Sequence, residues 1–381
     1  MSVVSDNKLI EGISSIGSVD SDKSNRKIRA EDECVIRSYA GVSKKGYAPY
    51  NPRKRNQDAI LMEEDKEHST LIFGVFDGHG EAGDLVSHYF TERMAQRLEK
   101  NVKYLADPGV AMKEELEKIE RSLLSDASID TEFSGSTGVI GTVRGHTLTV
   151  ANIGDSRVIL GRVEKSAVGS GSTTSTNSVG SGASLSSLSS SSSSSAFTSI
   201  RSTGIKGSSV IGAGSALSST EKSEALSHHG AVIAVEVSID HKPDHPVEKE
   251  RILKSGGRVF SVEYDDGVDG PPRVWLAHME IPGLAMSRSL GDTVAHTAGV
   301  ISAPEIFSVT LTPEDRVLVW ASDGLWEFMS NQEVLNLIAN INDPKLAVDV
   351  LIEEANARWM KEEQVIDDTT VIVCFLDVKK R

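Results

Sequence analysis

Aspartates close off apolar runs at three places in this chain. Leu71-Ile72-Phe73-Gly74-Val75-Phe76 ends on Asp77-Gly78-His79-Gly80. Val317-Leu318-Val319-Trp320-Ala321 ends on Ser322-Asp323-Gly324, and Asp367-Asp368 precedes Thr369-Thr370-Val371-Ile372-Val373. A single Asp-Gly pair reads first as a turn. Three carboxylates, each abutting a strand-like run, read differently, because a strand delivers the residues at its end to one rim of a sheet. If the last two runs are antiparallel neighbours, Asp323 at the end of one and Asp367 at the start of the other meet at the same rim, and Asp77 can join them. Carboxylates gathered and kept ionised repel one another, so they need a compensating cation. A donor set made only of oxygen suits Mg²⁺ or Mn²⁺, and no Cys/His ligand spacing points to structural zinc.

These segments belong to a longer collinear series. It comprises Arg53-Lys54-Arg55-Asn56-Gln57-Asp58, Asp77 to Gly80, Ser134-Gly135-Ser136-Thr137, Ala151-Asn152-Ile153-Gly154-Asp155-Ser156-Arg157 and Asp240-His241-Lys242-Pro243. Ser287-Arg288-Ser289-Leu290-Gly291-Asp292, Ala321 to Trp326 and Asp367-Asp368 complete it. Carried together and in order from about Cys34 to the C-terminus, with one interruption, they make the chain resemble the metal-dependent Ser/Thr protein phosphatases of the 2C type, the PPM family.

The resemblance implies hydrolysis of phosphoserine and phosphothreonine in proteins by a metal-bound hydroxide that attacks phosphorus directly, with two Mg²⁺ or Mn²⁺ ions at the core. Asp77 matches the carboxylate bridging both ions, the Gly78 carbonyl a further ligand, and Asp323 and Asp367 complete the first ion. Asp58 lies near the ions through water. Gln57 stands where many members carry Glu, one negative charge fewer. Arg53 matches the phosphate-gripping arginine, with Arg55 a close competitor on sequence alone. His79 matches the general acid for the departing oxygen; the other role open to it is a rim histidine that holds a ligand or a water. A third, weaker metal position is built from residues matching Asp155, Asp323 and Glu327, the last one methylene longer than the usual Asp. Asp155 has a turn-capping alternative, and Asp292 is expected to organise the loop over the site. The segment from about Lys242 to Trp275 corresponds to a variable flap, the expected place for substrate choice. Two other functions stay open: a catalytically weak relative that binds phosphoproteins, or a hydrolase of small phosphate esters.

Positioning these residues takes strands at roughly 57–62, 70–76, 137–143, 146–152, 156–162, 231–237, 316–321 and 370–377. Between them, apolar residues at spacings of three and four mark amphipathic helices. Leu85, Val86, Tyr89, Phe90, Met94 and Leu98 form one set, and Met112, Leu116, Ile119 and Leu123 a second. Val334, Leu337, Ile338 and Ile341 form a third, and Leu346, Val350, Leu351, Ala355 and Trp359 a fourth. Many strands with a few long helices imply an α+β fold with helices covering sheets. The resemblance makes this a central antiparallel β-sandwich between helix layers, with the metals at one end.

With 381 residues and 39% apolar content, the chain can bury a large core. A net charge of −15 disfavours a nucleic-acid partner. Residues 1 to about 30 are polar and are expected not to pack, leaving one catalytic domain over 31–381. Ser, Gly and Thr dominate 166–223, which reads as a disordered insertion at a hairpin tip between strands at 157–162 and 231–237. No run approaches a membrane span and no signal core opens the chain, which begins Met-Ser. Cys34 and Cys374 read as reduced, structural thiols. The expected protein is thus a cytoplasmic or nuclear monomer in signalling, acting on phosphoprotein substrates, with no nucleic-acid or membrane partner.

Overall fold

A computed structural model describes residues 9–13, 34–164, 231–264 and 267–379. Its first sheet runs in the order β1 (Leu9–Ile13), β2 (Ile36–Lys44), β16 (Thr369–Leu376), β15 (Asp315–Ala321), β8 (Arg157–Val163) and β9 (Val232–Glu236). The second runs β13 (Leu290–Gly291), β5 (Gly135–Ser136), β4 (Thr70–His79), β6 (Gly138–Arg144), β7 (Thr147–Ile153) and β14 (Glu305–Thr310), with β3 (Asp58–Asp65) also paired to β4. Every pairing in both sheets is antiparallel.

The two sheets face each other over a core that includes Phe73, Val139 and Val150 from one and Leu160, Trp320 and Ile372 from the other. Phe73 and Trp320 meet with ring centroids 5.2 Å apart. The outer face of the first sheet, through Val319, Val371 and Val373, packs on α6 (Asn331–Ile338) and α7 (Pro344–Glu362). The outer face of the second, through Ile72, Phe76 and Ile140, packs on α1 (Gly83–Glu99) and α2 (Pro108–Leu123). This is the expected α-β-β-α stack. It explains why the central strands read as unbroken apolar runs: both of their faces are buried. Asp107 caps α2 ahead of Pro108, and Ser330 with Glu333 forms a capping box on α6, so helix starts are written locally.

A smaller unit rides beside the sandwich. Its helix α3 (Pro246–Lys254) packs, with the short α4 (Thr293–Thr297), around Ile252, Val274, Leu284 and Ala295, next to a sheet of β10 (Arg258–Tyr264), β11 (Gly267–Trp275) and β12 (Pro282–Leu284). This corresponds to the expected flap region.

The structure departs from the sequence reading in several places. Leu9–Ile13, within the segment expected not to pack, forms β1 on the open edge of β2; main-chain groups on an unpaired edge recruit a strand whatever its side chains. β2 and β14 were not expected, being short of apolar residues or only half buried. On α7 the buried face is Ala347, Val348, Leu351, Ile352 and Ala355, leaving Leu346 50% exposed, a rotation of about one position. Strands β8 and β9 do pair as hairpin arms, from Ile159↔Glu236 to Val163↔Val232. The Ser-rich stretch between them lies outside the described residues. Cys374 is buried with a free thiol. Among the described residues no helix is long and apolar enough to cross a membrane.

Candidate active site

The expected meeting of strand ends is present. Ala321 of β15 sits opposite Val371 of β16, so Asp323, at the start of the short α5 (Asp323–Trp326), and Asp367 share one end of the sandwich. On the other sheet Asp58 of β3 stands directly opposite Asp77 of β4. Like charges in that register destabilise a strand pair, so the chain gives up stability here. Gly78 is obligatory: a Cβ there would lie 2.3 Å from the Gly83 carbonyl and 2.6 Å from that of Gln57.

The carboxylates feel one another strongly. Burial, then the charges of Asp58, Asp323 and Asp367, hold Asp77 well above the usual carboxylate range. Burial, then Asp155 and Asp367, do the same to Asp323, and the two carboxyl groups are close enough to share a hydrogen bond. Asp58, 2% exposed, is pushed to about 7 by burial and Asp368, although the Ser322 hydroxyl donates to its Oδ2 at 2.8 Å. Buried Asp58 Oδ1 and Asp155 Oδ1 have no partner. Among the described residues no three His, Cys, Asp or Glu side chains close into a finished ligand cage. The donor set nonetheless fits a hard divalent cation: all oxygen, mutually repelling, and with bare lone pairs that a cation would satisfy.

Two lysines share this end. Lys54 Nζ lies 3.1 Å from Asp368 and 3.4 Å from Asp367, and burial's pull on its ammonium is outweighed by those two charges. Lys242 Nζ lies 2.6 Å from Asp155 Oδ2. Sequence reasoning gave neither a role, although both sit inside the motifs it singled out. Asp368 is a structural tie: its oxygens accept from the backbone of Gly46 at 2.7 Å and of Gln57 at 2.9 Å. The Gln57 side chain donates to the Gly80 carbonyl at 2.6 Å, a bond no carboxylate could make.

His79 Nε2 is 2.6 Å from Asp292 Oδ2, and its Nδ1 is unpartnered. Burial works against the imidazolium, yet the Asp292 charge and hydrogen bond overcome it and raise the His79 pKa. Asp292 reaches this position from a left-handed backbone (φ 40°), and a Cβ at Gly135 would lie 2.1 Å from its Oδ2. Its side chain thus connects the loop to the His79 ring.

The two candidate arginines differ. Arg55 is paired with Asp84 at 2.8 Å, whereas Arg53 is exposed and makes no hydrogen bond or ion pair with the described residues. Glu327 follows α5 directly, as its C-terminal cap, and is exposed.

Comparison with known proteins gives a consistent picture. A family model described as Protein phosphatase 2C matches residues 51–177 and 223–363. "Probable protein phosphatase 2C 35" of Arabidopsis thaliana is 28% identical over 359 residues, covering 90% of this chain and 84% of the relative. "Probable protein phosphatase 2C 72" of the same plant is 31% identical over 340 residues, covering 86% and 83%. The crystal structure of a serine-threonine phosphatase 2C from Toxoplasma gondii superposes with a TM-score of 0.63 at 18% identity, over 89% of this chain and 95% of that one, a likeness of fold.

Proposed function

Because the chain belongs to the protein phosphatase 2C family, we propose that it removes phosphate from phosphoserine and phosphothreonine in proteins, using Mg²⁺ or Mn²⁺. One observation carries the reading: Asp58, Asp77 and Asp323 are buried at one end of the sandwich, where burial and then the charges of neighbouring carboxylates, Asp367 acting on all three, hold their pKa values up, and the protein supplies too little positive charge to quiet them. Asp77, the Gly78 carbonyl, Asp323 and Asp367 would hold the ions, with Asp58 behind. A divalent ion there lowers the pKa of a water it binds and neutralises charge on the phosphoryl group.

The remaining work falls to side chains. Arg53, exposed and without another partner among the described residues, grips two phosphate oxygens with its fork. His79 keeps a proton because Asp292 favours the charged ring. With Nε2 committed to Asp292, Nδ1 is the atom that can give that proton to the departing seryl or threonyl oxygen, which would otherwise leave as a poor alkoxide. Asp292 fixes the ring's orientation, as a carboxylate behind a catalytic imidazole does elsewhere.

The test measures release of phosphate from a phosphothreonine peptide, from ATP and from an aryl phosphate, each with Mn²⁺ and with EDTA. Mn²⁺-dependent turnover of the peptide, abolished by EDTA, is the expected result. Turnover that persists in EDTA overturns the mechanism, preference for ATP points to a small-molecule hydrolase, and binding without turnover points to a phosphoprotein-binding relative.

A further inference from the structure

Lys242 is held where a mobile cation would otherwise go. Its ammonium lies 2.6 Å from Asp155 Oδ2, and Asp155 is 2% exposed with Oδ1 unpartnered. The same ammonium offsets part of the negative charge around Asp323. The backbone gives it little freedom to leave. His241 N–H donates to the Gly154 carbonyl at 3.0 Å, Gly154 N–H to His241 Nδ1 at 3.1 Å, and Ser287 N–H to the His241 carbonyl at 2.8 Å. On the other side, Arg157 clamps Asp240 through Nε at 2.9 Å and Nη2 at 2.6 Å. Lys242 therefore hangs from a segment stitched to the turn between β7 and β8, and that turn carries Asp155.

We propose that the Lys242 ammonium is a tethered counter-ion that fills the place between Asp155 and Asp323 where a further divalent cation would bind, limiting this chain to the ions held by the core carboxylates. A divalent ion entering there must displace a charge that is covalently attached and already in contact, and so has no entropy of its own to lose on binding. A single positive charge leaves Asp155 Oδ1 unsatisfied, which is the opening that removal of the lysine would enlarge. The inference rests on the reading of this end as a cation site.

The test counts ions and does not require turnover. Metal-stripped full-length protein is titrated with Mn²⁺, free Mn²⁺ is followed by its paramagnetic resonance signal, and unfolding is followed by calorimetry. Lys242→Met should bind one more ion per chain than the wild type. Lys242→Arg, which keeps the charge, should not, and adding Asp155→Asn to Lys242→Met should remove the gain. Equal ion counts for folded Lys242→Met and wild type overturn the proposal. If Lys242→Met does not fold, Asp155→Asn alone decides: with the lysine in place it should leave the wild-type ion count unchanged, and loss of an ion overturns the proposal. A wild type that binds no Mn²⁺ removes the cation site itself, and with it both readings.

Discussion

Around Glu248, on α3, the protein gathers Arg288 through Nε at 3.1 Å and Nη2 at 2.7 Å, Arg251 at 2.8 Å and the Ser287 hydroxyl at 2.7 Å. Around Asp58 it brings the Ser322 hydroxyl and leaves Oδ1 bare. Both carboxylates are buried, and burial alone pushes both pKa values up. The hydrogen bonds from Arg288 and Ser287 reverse this for Glu248 and bring it down to about 2, while the neighbouring Asp368 carries Asp58 further up, to about 7. One site neutralises its charge with its own side chains and is finished when folded. The other is left short of positive charge, as a site is when its partner comes from solution.

The largest test of this contrast is turnover. Asp77→Ala should lose nearly all phosphopeptide hydrolysis at saturating Mn²⁺, as should the wild type in EDTA, whereas Glu248→Gln should keep most of it at a temperature where it is folded. Comparable losses in the two variants would erase the distinction. Asp292 tests an intermediate case, a buried carboxylate whose partner is the His79 ring. If that ring is the acid, His79→Asn should slow phosphoserine by ~10²–10⁴-fold and an activated aryl phosphate far less, since phenolate leaves unaided. Equal slowing of both substrates, with weaker metal binding, would make His79 an orienting group instead.

Stability should separate the regions with opposite signs. Glu248→Gln strands Arg288 and should cost about 3–5 kcal/mol in urea unfolding. Asp58→Asn relieves repulsion, so in EDTA its melting temperature should equal or exceed the wild type's; a drop like that of Glu248→Gln would mean Asp58 is structural. The smallest effect is in pH. Glu248 is depressed below its unfolded value of about 4.3, so its contribution is full above that pH and drains away as pH falls toward about 2. Wild-type stability should therefore fall more steeply than that of Glu248→Gln between about pH 5 and about pH 3. Parallel curves would remove Glu248 from the account.

What the sequence disclosed was what is local. A strand that ends on Asp-Gly is visible in ten residues, and the end of β15 and the Asp-Asp start of β16 need only antiparallel pairing to meet. Capped helices and two-faced apolar strands were legible for the same reason. What stayed hidden depends on partners far along the chain. Lys54 meets Asp367 across 313 positions, His79 meets Asp292 across 213 and Lys242 meets Asp155 across 87. No periodicity encodes such pairs. β2 was missed because its residues are mixed and its strand identity comes from the neighbours that pair with it.

Asp368 has a consequence for how the chain breathes. By accepting from the amides of Gly46 and Gln57 while lying beside Lys54, this one carboxylate pins both ends of the loop that carries Arg53. Those two amides lie outside regular strands, where exchange with solvent deuterium is ordinarily fast, yet here they should exchange slowly and at matching rates, because a single opening releases both. Asp368→Ala should speed the pair together and leave the amides of β4 as protected as before. The loop's motion is thus governed from the far end of the chain, one residue ahead of β16.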